Sequence, residues 1–265
     1  MASAPQSRNT ASRVADIAAR LRAAGSVFAE DEAAILIEAA TDDGELDSLV
    51  QRRVAGEPIE PLVGWVRFGR LRLAVGPGVF VPRQRSLLLA RAAVRVAQGQ
   101  ADPVMLEPFC GVAPLAASVA AALPAVEVHV ADVDPVALAW ARRNLPPDAG
   151  VHEGAGLAAV PADLRGRVSL VASVPPYVPE PERRFVPREA LDHEPPRALF
   201  AGPDGLDHVR TLVAELVGWL RPDGRALIEL NRAQWDAAAA HAETCGWRVS
   251  RRGGSDGQTV LLGLA

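Results

Sequence analysis

From about residue 84 to the C-terminus, short apolar runs alternate with segments of helical periodicity, and this alternation constrains the fold more than any other feature. The runs are Val104-Met105-Leu106 and residues 126–131, 169–173, 225–230 and 259–263. Helical patterns at 84–98, 113–122, 135–144, 205–220 and 232–243 separate them. Strand, helix and strand at this spacing predict a parallel sheet covered on both faces, a doubly wound α/β fold. Such folds hold ligands at the carboxyl ends of their strands, near the point where strand order reverses. Residues 175–203 form a long, Pro-rich, irregular segment, and loops of that length are commonly functional.

The first 58 residues have a different texture. Val14, Ile17, Ala18 and Leu21 share one helical face, and Ala34, Leu36 and Ile37, then Leu46, Leu49, Val50 and Val54, mark two further helices. Gly25 and the Thr41-Asp42-Asp43-Gly44 stretch separate them, the latter offering N-caps. These helices predict a small N-terminal domain, residues 1–58. Leu62–Phe68 and Leu71–Val75 read as two strands about a Gly69-Arg70 turn, a β-hairpin linker over 59–82. The third domain is then 83–265.

Composition narrows the function classes. A formal charge of −4 disfavours general nucleic-acid or anionic-membrane binding. Cys110 and Cys245 are too far apart in sequence for a zinc or redox motif, and a reducing cytoplasm is expected. Met1 to Thr10 is polar, with no apolar core for a signal peptide, and no stretch is long and apolar enough to span a membrane.

Three loops carry the candidate chemistry. Val104-Met105-Leu106-Glu107-Pro108-Phe109-Cys110-Gly111-Val112 runs from a strand through a loop into a helix, where glycine would let backbone approach a nucleotide-like cofactor. A plain strand-to-helix turn explains the same pattern. Asp132, at the end of the second run, suits the hydroxyls of a ribose or is an ordinary loop acid. Asp134-Pro135 is explained as a helix N-cap followed by Pro at the first helical position. Val174-Pro175-Pro176-Tyr177 closes another strand in a stiff turn whose carbonyls can accept hydrogen bonds from an amino or amide nitrogen while Tyr177 packs on a planar group. A rigid turn without a ligand is the alternative.

Taken together the pattern resembles the class I S-adenosylmethionine-dependent methyltransferases that modify protein glutamine on N5, the release-factor glutamine methyltransferase family. The resemblance runs from about residue 13 to the C-terminus. It is carried by Pro58–Trp65 with Phe68-Gly69, by Val79-Phe80-Val81-Pro82-Arg83, and by Asp132-Val133-Asp134-Pro135 through Asn144. Glu194-Pro195-Pro196-Arg197-Ala198-Leu199-Phe200, Gly202, Asp204-Gly205-Leu206-Asp207, Glu229 and Gln234 complete it. The resemblance implies a Rossmann-like seven-stranded sheet, S-adenosylmethionine as cofactor, and a protein or peptide glutamine as acceptor, possible release-factor substrates included. It implies cofactor contacts from Glu107, Phe109, Gly111, Asp132, Val133 and Ala155, with Val174, Pro175, Pro176 and Tyr177 as the catalytic segment. The N-terminal helices would grip the substrate.

The chain departs from that pattern at the chemistry. Where the family reads Asp-x-Gly-x-Gly-x-Gly, Glu107 replaces Asp and Phe109 and Ala113 replace two glycines. Ala155 stands where an acid is expected, and Val174 replaces the asparagine of Asn-Pro-Pro-Tyr, a side chain that would hydrogen-bond the acceptor. Two main readings follow: an N-methyltransferase of the glutamine type, or a diverged methyltransferase fold that has lost methyl transfer and acts as a binding partner or in another reaction. Nucleic-acid amino methylation, suggested by Glu-Pro-Phe-Cys-Gly, is a third.

Other residues read more blandly. The five histidines sit singly in sequence, and His193, beside Glu194, is a functional residue of that loop or, the preferred reading, a surface one. Cys110 is a reactive thiol or, as is commoner, a small buried hydrophobe, and the five tryptophans are expected to be core or partly buried anchors. Arg183, Arg184 and Arg188 form an anion patch or a solvated loop.

Overall fold

The computed structural model describes residues 4–265; residues 1–3 of the polar N-terminal stretch lie outside them. The chain divides into two compact units, one reaching to Trp65 and including Val75–Pro77, the other comprising Val66–Ala74 and Gly78–Ala265.

The first unit is helical: α1 (Ala4–Ala23), α2 (Ala29–Ala39), α3 (Asp43–Val54) and α4 (Ile59–Val63). Ile17, Ala18, Leu21, Leu36, Leu46, Leu49 and Val50 bury one another, as their periodicity requires, together with Ala33; the expected Ala34 is exposed, because it lies one residue round the helix from that face. Asp42 caps α3 by accepting the Glu45 N–H at 2.8 Å. The Arg53 guanidinium pairs with Glu32 through two 2.9 Å hydrogen bonds. Two more expectations are corrected. Val54, the last residue of α3, is 40% exposed. Leu62 and Val63 are helical and pack on this core, because Gly64 ends α4 in the left-handed conformation at φ 82° and the strand starts only at Trp65.

The second unit opens at Val66, within the hairpin of β1 (Trp65–Phe68) and β2 (Leu71–Ala74), which turns at Gly69 (φ 60°). A 3-10 turn at Gln84–Ser86 leads into α5 (Leu87–Gln98). Then come β3 (Val104–Pro108), α6 (Pro114–Ala122), β4 (Glu127–Asp132), α7 (Pro135–Asn144), β5 (Gly150–Glu153) and β6 (Val168–Ser173). The Pro-rich stretch holds 3-10 turns and the short α8 (Arg188–His193), and α9 (Asp207–Glu215), β7 (Leu220–Asn231), α10 (Trp235–Thr244), β8 (Val249–Gly253) and β9 (Thr259–Leu264) follow. Their order in one seven-stranded sheet is β5-β4-β3-β6-β7-β9-β8. The first five strands run parallel, and β9 is antiparallel to both β7 and β8. The strand order reverses between β3 and β6, so their carboxyl ends flank the switch-point crevice.

Differences from the sequence reading have physical causes. The helix expected over 205–220 ends at Glu215, since Gly218 (φ 84°) turns the chain, and β7 begins at Leu220 opposite Val168. Two strands escape detection. Gly150–Glu153 is short and half-exposed, and Val249–Gly253 carries Ser-Arg-Arg on an exposed stretch, so neither has an apolar run to reveal it.

Candidate functional site

Glu107, near the end of β3, is 2% exposed, and its carboxylate accepts the N–H groups of Ala116 (2.6 Å) and Leu115 (3.3 Å) in the first turn of α6. It thereby satisfies donors that every helix start leaves open. Burial is the main cause that raises its pKa to about 8. Between Glu107 and the helix, the chain is left-handed three times, at Phe109 (φ 56°), Gly111 (55°) and Ala113 (62°). Only glycine adopts this region without penalty; for other residues it costs about 1–2 kcal/mol each. The loop therefore keeps a glycine-type backbone at two positions that carry side chains. The Phe109 ring lies 5.2 Å from that of His208 and packs on the sheet core. The Cys110 thiol is buried and, through desolvation first, held well above its ordinary pKa, so it is a small buried hydrophobe.

Asp132 ties the neighbouring strand to this loop. At the carboxyl end of β4, it accepts the Gly111 N–H at 2.8 Å and the Asp134 N–H at 2.9 Å. Desolvation raises its pKa despite these donors. Its own carbonyl accepts the Gly154 N–H at 2.9 Å, which brings the exposed Ala155, just beyond β5, to the same sheet end. Val133 is 50% exposed beside it. Asp134 caps α7 by accepting the Val136 N–H at 3.0 Å and pairs with Arg197 at 2.8 Å. A further clamp comes from Asn144, whose amide bonds both backbone groups of Ala74 and the Val112 carbonyl.

Across the switch point, β6 ends at Ser173, whose hydroxyl donates to the Pro108 carbonyl at 2.7 Å. Val174, Pro175, Pro176 and Tyr177 follow, half-buried to buried. The turn is held from outside: Gln234 donates to the carbonyls of Tyr177 (2.8 Å) and Asp204 (3.0 Å), while Val178 pairs with Phe200 in an isolated parallel bridge. Gly205 is required here. At φ 72° its missing Cβ would fall 2.1 Å from the Tyr177 carbonyl oxygen. Burial raises the Tyr177 pKa, with Glu229 adding to the rise, and the Arg85 guanidinium lies 5.9 Å from its ring. Arg83 Nη2 sits 2.7 and 2.6 Å from the two oxygens of the buried Glu194, joining the Pro-Arg segment to the Glu-Pro-Pro-Arg loop.

Glu107, Phe109, Gly111, Asp132, Val133, Ala155 and the Val174–Tyr177 turn thus lie at the carboxyl ends of β3, β4, β5 and β6. The reading by composition and spacing missed Arg85 and Ser86, which have no distinctive spacing. It also treated the histidines as isolated. His129 and His152 instead lie side by side, Nδ1 to Nε2 at 3.1 Å, with the other His129 nitrogen 3.0 Å from Glu127. Parallel pairing of β4 with β5 brings them together, and β5 was not evident. His193 is exposed, as expected. Arg188 pairs with Asp192, while Arg183 and Arg184 lie over the rings of Phe200 and Phe185. No cluster of metal-ligating side chains occurs among the described residues. Among them, too, no helix is long and apolar enough to cross a membrane.

No family model matches the chain. Among solved structures, ribosomal protein L11 methylase from Lactobacillus delbrueckii subsp. bulgaricus shares the fold, with a TM-score of 0.51 at 13% identity over 72% of this chain and 83% of that one. A 4-amino-L-phenylalanine/4-methylamino-L-phenylalanine methyltransferase of Streptomyces pristinaespiralis is 34% identical over 68% of this chain and 63% of its own length. A release factor glutamine methyltransferase of Streptomyces coelicolor is 36% identical over 78% of this chain and 70% of its own length. With a sheet order and strand-end loops of this kind beneath that similarity, the chain belongs to the release factor glutamine methyltransferase family.

Proposed function

We propose that the chain transfers a methyl group from S-adenosylmethionine to the side-chain amide nitrogen of a protein glutamine, with a bacterial release factor as substrate and the cytoplasm as its setting. The observation that carries this reading is the convergence of the Gly111 loop, Asp132 and the Pro-Pro-Tyr turn on adjoining strand ends. The residues fit the cofactor. A Cβ built on Gly111 would meet nothing within 4 Å, so the loop leaves open space there. Asp132 uses two backbone donors, and a carboxylate has about four lone-pair sites, which leaves capacity for ribose hydroxyls. Val133 offers exposed apolar surface to a planar base.

When bound, the cofactor supplies an electrophilic methyl group on a sulfonium. The chain's part is placement. Pro175 accepts an N–H of the acceptor through its carbonyl, and Tyr177 flanks the planar amide, fixed by Gln234 and Gly205. Orientation and polarisation of the N–H supply the rate, without a metal or a covalent intermediate. Glu107 shapes the loop by holding the start of α6. The N-terminal helical unit grips the protein substrate. The relatives are named as methyltransferases, which favours transfer over its loss.

A second reading has a specific motive. Val174 cannot hold an amide as asparagine would, and one relative is named for an aromatic amine. Transfer to a small aromatic amine is therefore the competing acceptor class. The test is radiolabel transfer from S-adenosylmethionine to purified bacterial release factor and, in parallel, to 4-amino-phenylalanine. Label on a release-factor glutamine, in excess of any on 4-amino-phenylalanine, is expected. Cofactor binding by calorimetry without label on the release factor would exclude the glutamine acceptor.

A further inference from the structure

Val174 leaves the acceptor nitrogen one polar partner short, and the adjacent strand holds a carboxylate with an unused oxygen. The parallel register of β6 and β7 pairs Ser173 with Ile228, and Val174 and Glu229 are the next residues along. Glu229 is wholly buried. Its Oε1 accepts the Ser86 hydroxyl at 3.1 Å and lies 3.6 Å from Arg85 Nε. Its Oε2 is buried and has no hydrogen-bond partner among the described residues. Ser86 stands at the N-cap position of α5, yet its side chain caps no amide of that helix and donates to Glu229. A buried carboxylate oxygen left without a donor is costly, so the fold is built to receive one there.

We propose that Glu229 Oε2 accepts an N–H of the acceptor nitrogen, supplying the hydrogen bond that Val174 cannot make. The proposal rests on the methyl-transfer reading above and names the group that orients its acceptor. As the nitrogen forms its bond to the methyl carbon, the carbon–sulfur bond breaks and its electron pair stays on sulfur. The proton shed by nitrogen passes to Oε2 and from there to solvent. The charged and titratable groups that face Glu229 are Arg85 before α5, Tyr177 in the Pro-Pro-Tyr turn and Asp256 before β9. Burial, the largest influence, raises the Glu229 pKa, which makes the carboxylate a better proton acceptor. The half-exposed Arg85 side chain and the Tyr177 ring flank the carboxylate and must shift to admit the acceptor.

The test compares wild type, Glu229→Gln, Glu229→Asp, Glu229→Leu, Val174→Asn and the Val174→Asn/Glu229→Gln double variant on release factor. Initial rates are taken across pH 5–9, with calorimetry of release factor binding to the S-adenosylhomocysteine-loaded protein and thermal melts alongside. In wild type kcat should rise with pH through the Glu229 titration. Glu229→Gln, which keeps an acceptor oxygen, should lower kcat about tenfold with little change in KM and abolish that rise. Glu229→Leu should cost roughly 10²–10³ in kcat and weaken release factor binding. Glu229→Asp should keep the pH rise at reduced kcat, which carries the test if the neutral variants fold poorly. In the Val174→Asn background the Glu229→Gln loss should shrink to a few-fold. An unchanged kcat and pH profile in Glu229→Gln would overturn the role of Glu229 and leave methyl transfer standing. No transfer by cofactor-bound wild type would overturn both.

Discussion

Replacing Arg83 by methionine should cost the sheet unit about 3 kcal/mol, because it takes the cation away from a buried carboxylate. The Glu194 side chain is 6% exposed, and the contacts directed at it include Arg83 Nη2 at 2.7 and 2.6 Å from its two oxygens and the Val81 N–H at 3.2 Å. Removing the guanidinium takes away both short contacts and the opposite charge. Breaking one side of a buried pair costs about 3–5 kcal/mol, and the one-third exposure of Arg83 places this case at the lower end. Arg83→Lys keeps the charge on a different head group and should recover about half of the loss. Replacing both partners by methionine removes the buried charge and should restore most of the stability. The assay is urea unfolding followed by fluorescence, with the deeply buried Trp219 as a reporter in this unit. At a slope of about 2–3 kcal/mol per molar, a 3 kcal/mol loss moves the midpoint by about 1 M. A midpoint within about 0.2 M of wild type, or a double variant as unstable as the single one, would refute the reasoning.

Three more outcomes follow from the same geometry. Glu107 is raised by burial to about 8, so from about pH 4.5 to 8 the folded chain retains a proton that the unfolded chain releases, and stability falls as pH rises. Glu107→Gln should therefore gain several degrees in melting temperature on wild type between pH 5 and 8, and a constant difference would count against this. His152 has its pKa lowered, by burial first and then by His129, so the fold favours the neutral ring and loses stability as pH falls below about 6.5. His152→Gln should flatten that decline in pH-dependent melts. Asp132→Ala should weaken S-adenosylhomocysteine binding by about 1–3 kcal/mol in calorimetry, and unchanged affinity would exclude a ribose contact.

The parallel core was legible because β3, β6 and β9 are buried at every position, and fully buried strands read as continuous apolar runs. β5 and β8 were not, because half-exposed edge segments owe their pairing to their neighbours. The candidate site was legible at Asp132, an acid closing an apolar run, and where a turn is chemically distinctive, as at Pro175-Pro176. It was hidden where partners are remote in sequence. Arg83 and Glu194 are 111 residues apart, and Ser86 and Glu229 are 143 apart. Neither pair carries a local pattern. Glu229 in particular sits in Ala226-Leu227-Ile228-Glu229-Leu230, where a single acid in an apolar run reads as an exposed position rather than as a buried one.

The strand-to-helix loop shows what a glycine-rich motif encodes. Three left-handed residues persist at 109, 111 and 113 although only one is glycine, and two carboxylates, Glu107 and Asp132, grip the backbone at either side. The loop of this chain is thus defined by a pair of anchors and a path between them, with glycine the least strained way of following that path. With both anchors in place, side chains along the path can differ while the path itself is kept.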